Sequence, residues 1–252
     1  MSGTSSVFWG NGLGAFPTRT DLPNGFQPPG WPCTGDFNGD GIFDLANCGG
    51  DLAAPTVSTW LSSPSGTFSP RRDFPVGNAP SSVLTTDFNH DGFLDLANAN
   101  QPDHTFTVLL GDGTGGFGLR RDFPTGLAGN LTDRTWGIAA GDFNRDGNLD
   151  LAVSTAGETE SVVSIHYGDG TGNFSLATNV PTGGYAREVA VGDFNGDGIL
   201  DLATPSLVGC VCQPNADQTW AGEVRPLKRM RWPPVLMPEG RNRLPVSARR
   251  WV

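Results

Sequence analysis

The chain has 252 residues and a formal net charge of −10, with no lysine before residue 228. Because phosphate backbones are bound by clustered Lys and Arg, we do not expect nucleic acid as a partner. Its 36 Gly and 20 Pro favour a turn-rich protein, and no run of 18 apolar residues is present to span a membrane. Four Cys are too few for a disulfide-dense scaffold.

The first predicted element is a β-hairpin at about residues 7–21, in which a strand leads into a Gly-rich turn (VFWGNG) and returns after Phe16. Gly and Asn supply the positive φ angles that such turns need. The same pattern returns at residues 57–68, 108–117 and 165–174. We call each of these elements a turn hairpin.

The second predicted element is a metal loop, which recurs four times in nearly the same twelve residues. The copies are residues 35–46 (GDFNGDGIFDLA), 86–97 (TDFNHDGFLDLA), 141–152 (GDFNRDGNLDLA) and 192–203 (GDFNGDGILDLA). Asp, Asn and Asp at alternating positions, a Gly turn and a further Asp provide the hard oxygen ligands that Ca²⁺ binds. We therefore predict about four Ca²⁺ ions per chain.

Each predicted site uses four side chains and one backbone carbonyl. In chain order, the predicted ligands are Asp36, Asn38, Asp40, Ile42 (carbonyl) and Asp44; Asp87, Asn89, Asp91, Phe93 (carbonyl) and Asp95; Asp142, Asn144, Asp146, Asn148 (carbonyl) and Asp150; and Asp193, Asn195, Asp197, Ile199 (carbonyl) and Asp201. We call residues 36–44, 87–95, 142–150 and 193–201 loops 1 to 4, and the last Asp of each loop the closing Asp, namely Asp44, Asp95, Asp150 and Asp201.

An EF-hand begins with the same residues but has a Glu at its twelfth position and a helix on each side. Here the twelfth positions hold Asn47, Asn98, Val153 and Thr204, and the flanking segments are short and strand-like. Each metal loop is therefore predicted to join two strands, and we call this unit a loop hairpin. The four loop hairpins are expected near residues 31–48, 82–99, 137–153 and 188–204.

The spacing between the loops indicates the architecture. From the first Asp of one loop to that of the next there are 51, 55 and 51 residues. A period of this length is typical of propeller blades, and one repeat then comprises four short strands, a loop hairpin followed by a turn hairpin. No helical periodicity is present in residues 1–212. The fold class predicted is all-β.

These residues resemble the FG-GAP repeat, also called the VCBS repeat, which forms the blades of integrin α-subunit-like β-propellers. The resemblance covers about residues 5–206 and rests on the metal loop and on the GDGxGxF turn. It implies a propeller of four-stranded blades with one Ca²⁺ in each blade. Such propellers usually have seven blades, so about four here indicate a partial propeller. A closed four-bladed ring is the alternative, because the chain starts with a turn hairpin and ends its repeats with a loop hairpin.

Residues 1–206 are thus predicted to be the repeat domain, and residues 207–252 a divergent tail. The first 222 residues contain 24 acidic residues against 8 arginines, whereas residues 223–252 contain 8 basic residues against 2 acidic ones. Half of the 24 acids are predicted calcium ligands. The tail lacks amphipathic periodicity, so we expect a disordered or mis-framed segment rather than a binding arm.

Cys33 and Cys48 flank loop 1 on opposite arms of its hairpin, and either a disulfide or two buried thiols fits them. Cys210 and Cys212, without a further Cys or a His pair, do not form a zinc motif. The N-terminus lacks the basic and apolar regions of a signal peptide. Loops of this kind need millimolar calcium, so we expect an extracellular or cell-surface protein whose leader lies outside this sequence.

Catalytic interpretations find little support. The segment GDGTGG at residues 111–116 matches a dinucleotide fingerprint by letter, but no helix follows and variants recur in each repeat, so we expect a turn. The Asp pairs are assigned to metal rather than to glycoside hydrolysis. His90, His104 and His166 lie near no nucleophile pattern. Arginines in residues 71–74 (RRDF) and 120–123 (RRDF) are expected to form local ion pairs on an edge strand, with a binding role as the alternative.

The function predicted is that of a calcium-binding extracellular propeller module, not an enzyme, which binds a protein or a carbohydrate. The alternative is a non-catalytic propeller within a larger secreted enzyme, such as one that degrades polysaccharides.

Overall fold

The structure is a computed structural model that describes residues 3–25, 30–51, 54–126, 134–157 and 160–207. All of the regular secondary structure in these ranges is β-strand, so the predicted all-β class is confirmed. No helix able to cross a membrane is found in the described residues. The predicted tail, residues 207–252, lies almost wholly outside the described ranges.

The first sheet is the predicted N-terminal turn hairpin. Strand β1 (Gly3–Trp9) pairs antiparallel with β2 (Thr18–Gly25) and has no further strand beside it among the described residues. The residues of β1 alternate between more and less exposed, as expected for a strand with one face turned to the protein.

Three complete four-stranded antiparallel sheets follow, each with its strands paired in sequence order. The first contains β3 (Cys33–Gly35), β4 (Asp44–Asp51), β5 (Ala54–Trp60) and β6 (Arg72–Pro75); the second β7 (Pro80–Thr86), β8 (Asp95–Asn100), β9 (Thr105–Gly111) and β10 (Phe117–Pro124); the third β11 (Arg134–Gly141), β12 (Asp150–Ala156), β13 (Ser161–Gly168) and β14 (Phe174–Pro181). Each sheet is thus one loop hairpin paired with one turn hairpin, as predicted.

The fourth repeat contains its loop hairpin, formed by β16 (Ala190–Gly192) and β17 (Asp201–Ala203). Two short strands, β15 (Tyr185–Ala186) and β18 (Ser206–Leu207), pair beside it. In the described part of the chain neither β16 nor β17 joins the sheet of β1 and β2. The structure therefore shows propeller-type sheets but no closed propeller.

The core lies between successive sheets. One cluster joins residues of the first and second sheets, including Val57 and Leu96, and another joins the second and third, including Phe106 and Leu151. These strands are buried on both faces, so their apolar side chains do not alternate with exposed ones.

An aromatic contact repeats along the stack of sheets. The Phe after the first Asp of a loop packs edge-to-face on a Phe that begins the last strand of the next sheet. The ring centroids of Phe37 and Phe117 are 5.5 Å apart, and those of Phe88 and Phe174 are 5.4 Å apart. Such pairs contribute roughly 0.5–1.5 kcal/mol beyond their buried area. The loops are therefore fixed to the neighbouring repeat as well as to their own.

Cys33 and Cys48 are free thiols, so of the two alternatives the disulfide is not formed. The register explains this, because Cys33 lies opposite Ala46 in the loop hairpin whereas Cys48 lies opposite Val57 on the other side of β4. Burial raises the pKa of the Cys33 thiol to about 12 and also raises the pKa of the Cys48 thiol. Both thiols pack in the core between the first two sheets.

Candidate metal centre

Loop 1 folds its polar side chains inward around a tight backbone turn. Asp36 accepts a hydrogen bond from the Gly41 N–H at Oδ2 (2.8 Å), and Asp40 accepts one from the Ile42 N–H at Oδ1 (2.8 Å). Asn38 Oδ1 accepts from the Asp40 N–H at 3.1 Å. The three predicted side-chain ligands of the turn are thus brought together by the loop's own amides.

The same bonds recur in all four loops. The bond from the loop Gly N–H to the first Asp measures 2.9 Å in loop 2, 3.0 Å in loop 3 and 2.8 Å in loop 4. The fourth residue has a positive φ in every copy: Gly39 (72°), His90 (58°), Arg145 (62°) and Gly196 (78°). Because the repeated residues impose one backbone path, the four loops share a common geometry.

The closing Asp differs from the other predicted ligands because it begins a strand and, in loops 1 to 3, is buried. Asp44, Asp95 and Asp150 are fully inaccessible to solvent. In each, Oδ2 accepts a hydrogen bond from the N–H of the Phe in its own loop, at 2.9, 2.8 and 2.8 Å respectively.

The other oxygen of the closing Asp reaches the turn hairpin. Asp44 Oδ1 accepts from the Ser62 N–H at 2.7 Å, Asp95 from the Gly111 N–H at 2.8 Å and Asp150 from the Gly168 N–H at 2.9 Å. The closing Asp therefore fastens the loop hairpin to the turn hairpin. The sequence pattern indicated a metal ligand at this position but not the hydrogen bond to the turn hairpin. The one sequence signal for this second role is that the Asp stands at the start of a strand.

The charge of the closing Asp has no counter-ion among the residues that the structure describes. Burial, with smaller contributions from the charges of Asp91 and Asp87, raises the pKa of Asp95 to about 6. Burial also raises the pKa of Asp44 and Asp150. None of the three ion pairs in the described residues includes a closing Asp. A buried carboxylate beside two others is costly unless a cation balances it.

The donor set suits a hard divalent cation. Every loop offers only carboxylate, amide and carbonyl oxygens, which Ca²⁺ takes in sets of six to eight. No three acidic, Cys or His side chains form a ready metal cluster within the described ranges. A cation in a loop therefore needs the Asn and backbone oxygens in addition to the carboxylates.

The loops contact one another across the repeats. Arg145, at the positive-φ position of loop 3, donates a hydrogen bond from Nη2 to the Gly198 carbonyl of loop 4 at 2.6 Å. The equivalent His90 is exposed. The sequence did not indicate this contact, which depends on how the repeats stack.

The remaining predicted features are structural. In the GDGTGG segment Asp112 Oδ1 accepts from the Thr114 and Gly116 N–H groups, which confirms a turn. Arg71 pairs with Asp73, and Arg120 with Asp122, both at 2.8 Å on edge strands. Local ion pairing at these arginines is therefore confirmed. His166 is buried in β13, and its ring meets Phe106 at 4.8 Å between centroids.

One partly exposed cluster was not indicated by the sequence. The guanidinium of Arg187 lies 4.8 Å from the Trp136 ring centroid and 5.5 Å from that of Tyr185. We call these three residues the aromatic cluster. Trp136 lies near the start of β11 and loop 3 follows the end of β11, so the cluster lies at the end of the strands opposite the loops. The Trp136 Nε1–H has no hydrogen-bond acceptor among the described residues.

Comparison with known families agrees with this geometry. A family model described as an FG-GAP-like repeat matches residues 87–153 and 154–204. The chain carries FG-GAP-like repeats. The matched ranges contain loops 2, 3 and 4. Loop 1 lies outside the matched ranges and forms the same hydrogen bonds as the other loops. A search of curated proteins found no significant match.

Proposed function

We propose that this chain is a calcium-binding propeller-type module of an extracellular or cell-surface protein, and that it binds a protein or carbohydrate ligand. FG-GAP-like repeats are generally non-catalytic and often extracellular, which favours a binding module. The observation that carries the calcium assignment is the closing Asp, which is buried in loops 1 to 3, close to the other carboxylates of its loop, with no counter-ion in the described part of the chain.

Calcium has a structural role in this proposal. Each loop contributes three carboxylates, which repel one another by roughly 1 kcal/mol per pair at 4 Å in water and by more where they are buried. A bound cation attracts all three carboxylates, so the net electrostatic interaction within the loop becomes favourable. Because the closing Asp also bonds to the turn hairpin, cation binding stabilises the whole repeat and not only the loop.

The compartment follows from affinity. Extracellular calcium modules bind with dissociation constants of about 10⁻⁴ to 10⁻³ M, so they fill outside the cell, where calcium is millimolar, and stay empty in the cytosol. The proposed module therefore keeps its loops loaded only at the cell surface or beyond.

The aromatic cluster is the surface we assign to the ligand. Trp136 and Tyr185 are half-buried and Arg187 is exposed, a combination that offers flat apolar area together with a charged donor. Such groups are favoured at binding surfaces for proteins and are suited to stacking on sugar rings. The loops at the other end of the strands leave this surface clear for a partner.

Calorimetric titration with Ca²⁺ tests the metal assignment. We expect about four ions per chain, and Asp146→Ala should remove one of them. His90→Gly is the matched control, because Gly occupies the same position in loops 1 and 4, and it should leave the stoichiometry unchanged. No calcium uptake, or equal losses from both variants, would contradict the assignment.

Ligand binding needs its own experiment. The chain, loaded with calcium, is applied to immobilised glycans and to extracellular-matrix proteins, and retained binding is compared between wild type and Trp136→Ala. Phe43→Ala is the control, because Phe43 is an exposed aromatic residue within loop 1. Equal binding by the two variants would show that the aromatic cluster is not the ligand surface.

A further inference from the structure

Two half-repeats in the described structure are complementary. The sheet of β1 and β2 is a turn hairpin without a loop hairpin, and β16 and β17 form a loop hairpin without a turn hairpin. In each complete sheet the second strand of the loop hairpin pairs with the first strand of the turn hairpin. The edges of β17 and β1 that correspond to this pairing have no strand beside them in the described residues.

We propose that a second copy of this chain fills these edges, so that the β1–β2 hairpin of one copy completes the fourth repeat of another. The contact is head-to-tail and reproduces an interface that each copy already forms three times within itself. Two copies that exchange hairpins in this way contain six complete sheets and two shared ones. A ring of eight is at the upper end of the usual four to eight blades of a propeller.

A hydrogen bond identifies the joining atoms. Asp44, Asp95 and Asp150 each accept at Oδ1 from a turn-hairpin N–H, whereas Asp201 accepts only from the Phe194 N–H, at Oδ2, among the described residues. The equivalent donor in the N-terminal hairpin is Gly10, because Asn11 forms the same turn bond, to the Ala15 carbonyl, that Asp112 forms to Gly116. Gly10 N–H is therefore the expected donor to Asp201 of the second copy.

The register between the copies follows from the complete sheets. Leu45 lies opposite Trp60, Leu96 opposite Leu109 and Leu151 opposite His166. Counting from Gly10 and Asp201 in the same way places Leu202 opposite Phe8 and Ala203 opposite Val7. A shift by one residue would turn Phe8 to the wrong face, so this register is specific.

Exposed phenylalanines mark the same surfaces. Phe8 is 56% exposed, although its counterparts Trp60, Leu109 and His166 are at most 2% exposed. Phe16 is 65% exposed against 7% and 9% for Phe117 and Phe174, and Phe194 is 62% exposed against 3% and 1% for Phe37 and Phe88. Their counterparts at the two ends of the row of complete sheets, Phe68 and Phe143, are half-buried. These positions are thus buried where both neighbouring repeats are present, which indicates an interface rather than scattered surface residues.

Within one copy, the β1–β2 hairpin contacts the first complete sheet rather than β16 and β17. Ser5 Oγ accepts a hydrogen bond from Asn47 Nδ2 at 2.8 Å, and Ser5 also bonds to Asn24. These contacts hold the β1–β2 hairpin beside the first complete sheet, as expected for the outer half of the repeat that precedes it. Those bonds involve the Ser5 side chain, and the edge of β1 away from β2 has no strand beside it in the described residues.

Light scattering after size-exclusion chromatography, on the full chain with calcium, gives the first test. We expect a dimer, and Phe8→Asp should raise its dissociation constant at least tenfold, because a charge replaces an apolar anchor. Leu13→Asp is the control, since Leu13 is 89% exposed at the tip of the turn, and it should leave the dimer intact. A monomer at all accessible concentrations would overturn the proposal.

Cysteine cross-linking tests the register and separates a second copy from self-closure. Phe8→Cys and Leu202→Cys are combined with Cys210→Ser and Cys212→Ser, and the oxidised protein is analysed by non-reducing electrophoresis. A covalent dimer supports the proposal. A disulfide within one chain, or cross-linking no stronger than that of the control pair Phe8→Cys with Ile199→Cys, would overturn it.

Discussion

Removal of calcium should lower the thermal stability of the repeats by many degrees. If free Ca²⁺ is about tenfold above the dissociation constant, each loop contributes roughly 1.4 kcal/mol to the free energy of unfolding. Four equivalent loops then contribute about 5 to 6 kcal/mol, which is as much as many whole domains possess. For a domain of about 200 residues, 1 kcal/mol shifts Tm by roughly 2 to 4 °C, so we expect a decrease of about 10 to 20 °C.

The assay is thermal unfolding followed by circular dichroism, in calcium and after chelation with EGTA. Mg²⁺ in place of Ca²⁺ should restore little stability, because it demands compact octahedral coordination and dehydrates reluctantly. Loop 3 gives an internal check, since Asp146→Ala should remove about a quarter of the calcium-dependent shift. Unfolding curves that coincide with and without calcium would refute the reasoning from the recurrent loops.

Three further predictions test individual residues. Asp95→Ala should lower the free energy of unfolding by about 2 to 6 kcal/mol even in EGTA, because it leaves two N–H groups without their acceptor. Asp91→Ala should destabilise the protein only in calcium. Equal calcium dependence of the two variants in urea unfolding would contradict this prediction. Burial lowers the pKa of His166 to about 4, below its unfolded value of 6.5, so the folded protein favours the neutral ring. The contribution of this ring to the free energy of unfolding is therefore lost as pH falls from 6.5 to about 4. Between pH 7 and pH 4.5 the wild type should lose about 2.5 kcal/mol more than His166→Leu in urea unfolding, and parallel losses would refute the assignment. Cys33, which is half-buried, and Cys48, which is buried, should resist iodoacetamide in the folded protein and react after denaturation, as measured by peptide mass spectrometry. Rapid labelling of the folded protein would contradict the packing of both thiols in the core.

The repeat was readable from the sequence because its strongest signals are local. A glycine turn, an alternating row of oxygen donors and a closing Asp lie within nine consecutive residues, so the backbone path of each loop is encoded where it occurs. The order of a loop hairpin and then a turn hairpin follows from spacing alone, and the structure confirms it in three complete sheets.

Contacts between repeats were not readable in this way. Arg145 reaches the Gly198 carbonyl across 53 residues, and the aromatic cluster joins Trp136 to residues beyond position 184. Neither has a fixed sequence spacing, because each depends on the angle and offset between neighbouring sheets. Likewise, the sequence did not show that Cys48 lies opposite Val57 of β5, because this depends on how β4 pairs with its neighbouring strands.

The sequence by itself determined the all-β class, the four-stranded repeat and the four loops, since the loop motif and the turn chemistry act over a few residues and recur at a fixed spacing. Only the tertiary structure decided that the closing Asp is a buried clamp between hairpins and that Phe8, Phe16 and Phe194 remain exposed where their counterparts are covered. Burial is a property of what packs around a side chain, and identical motifs therefore acquire different environments according to whether a neighbouring hairpin is present.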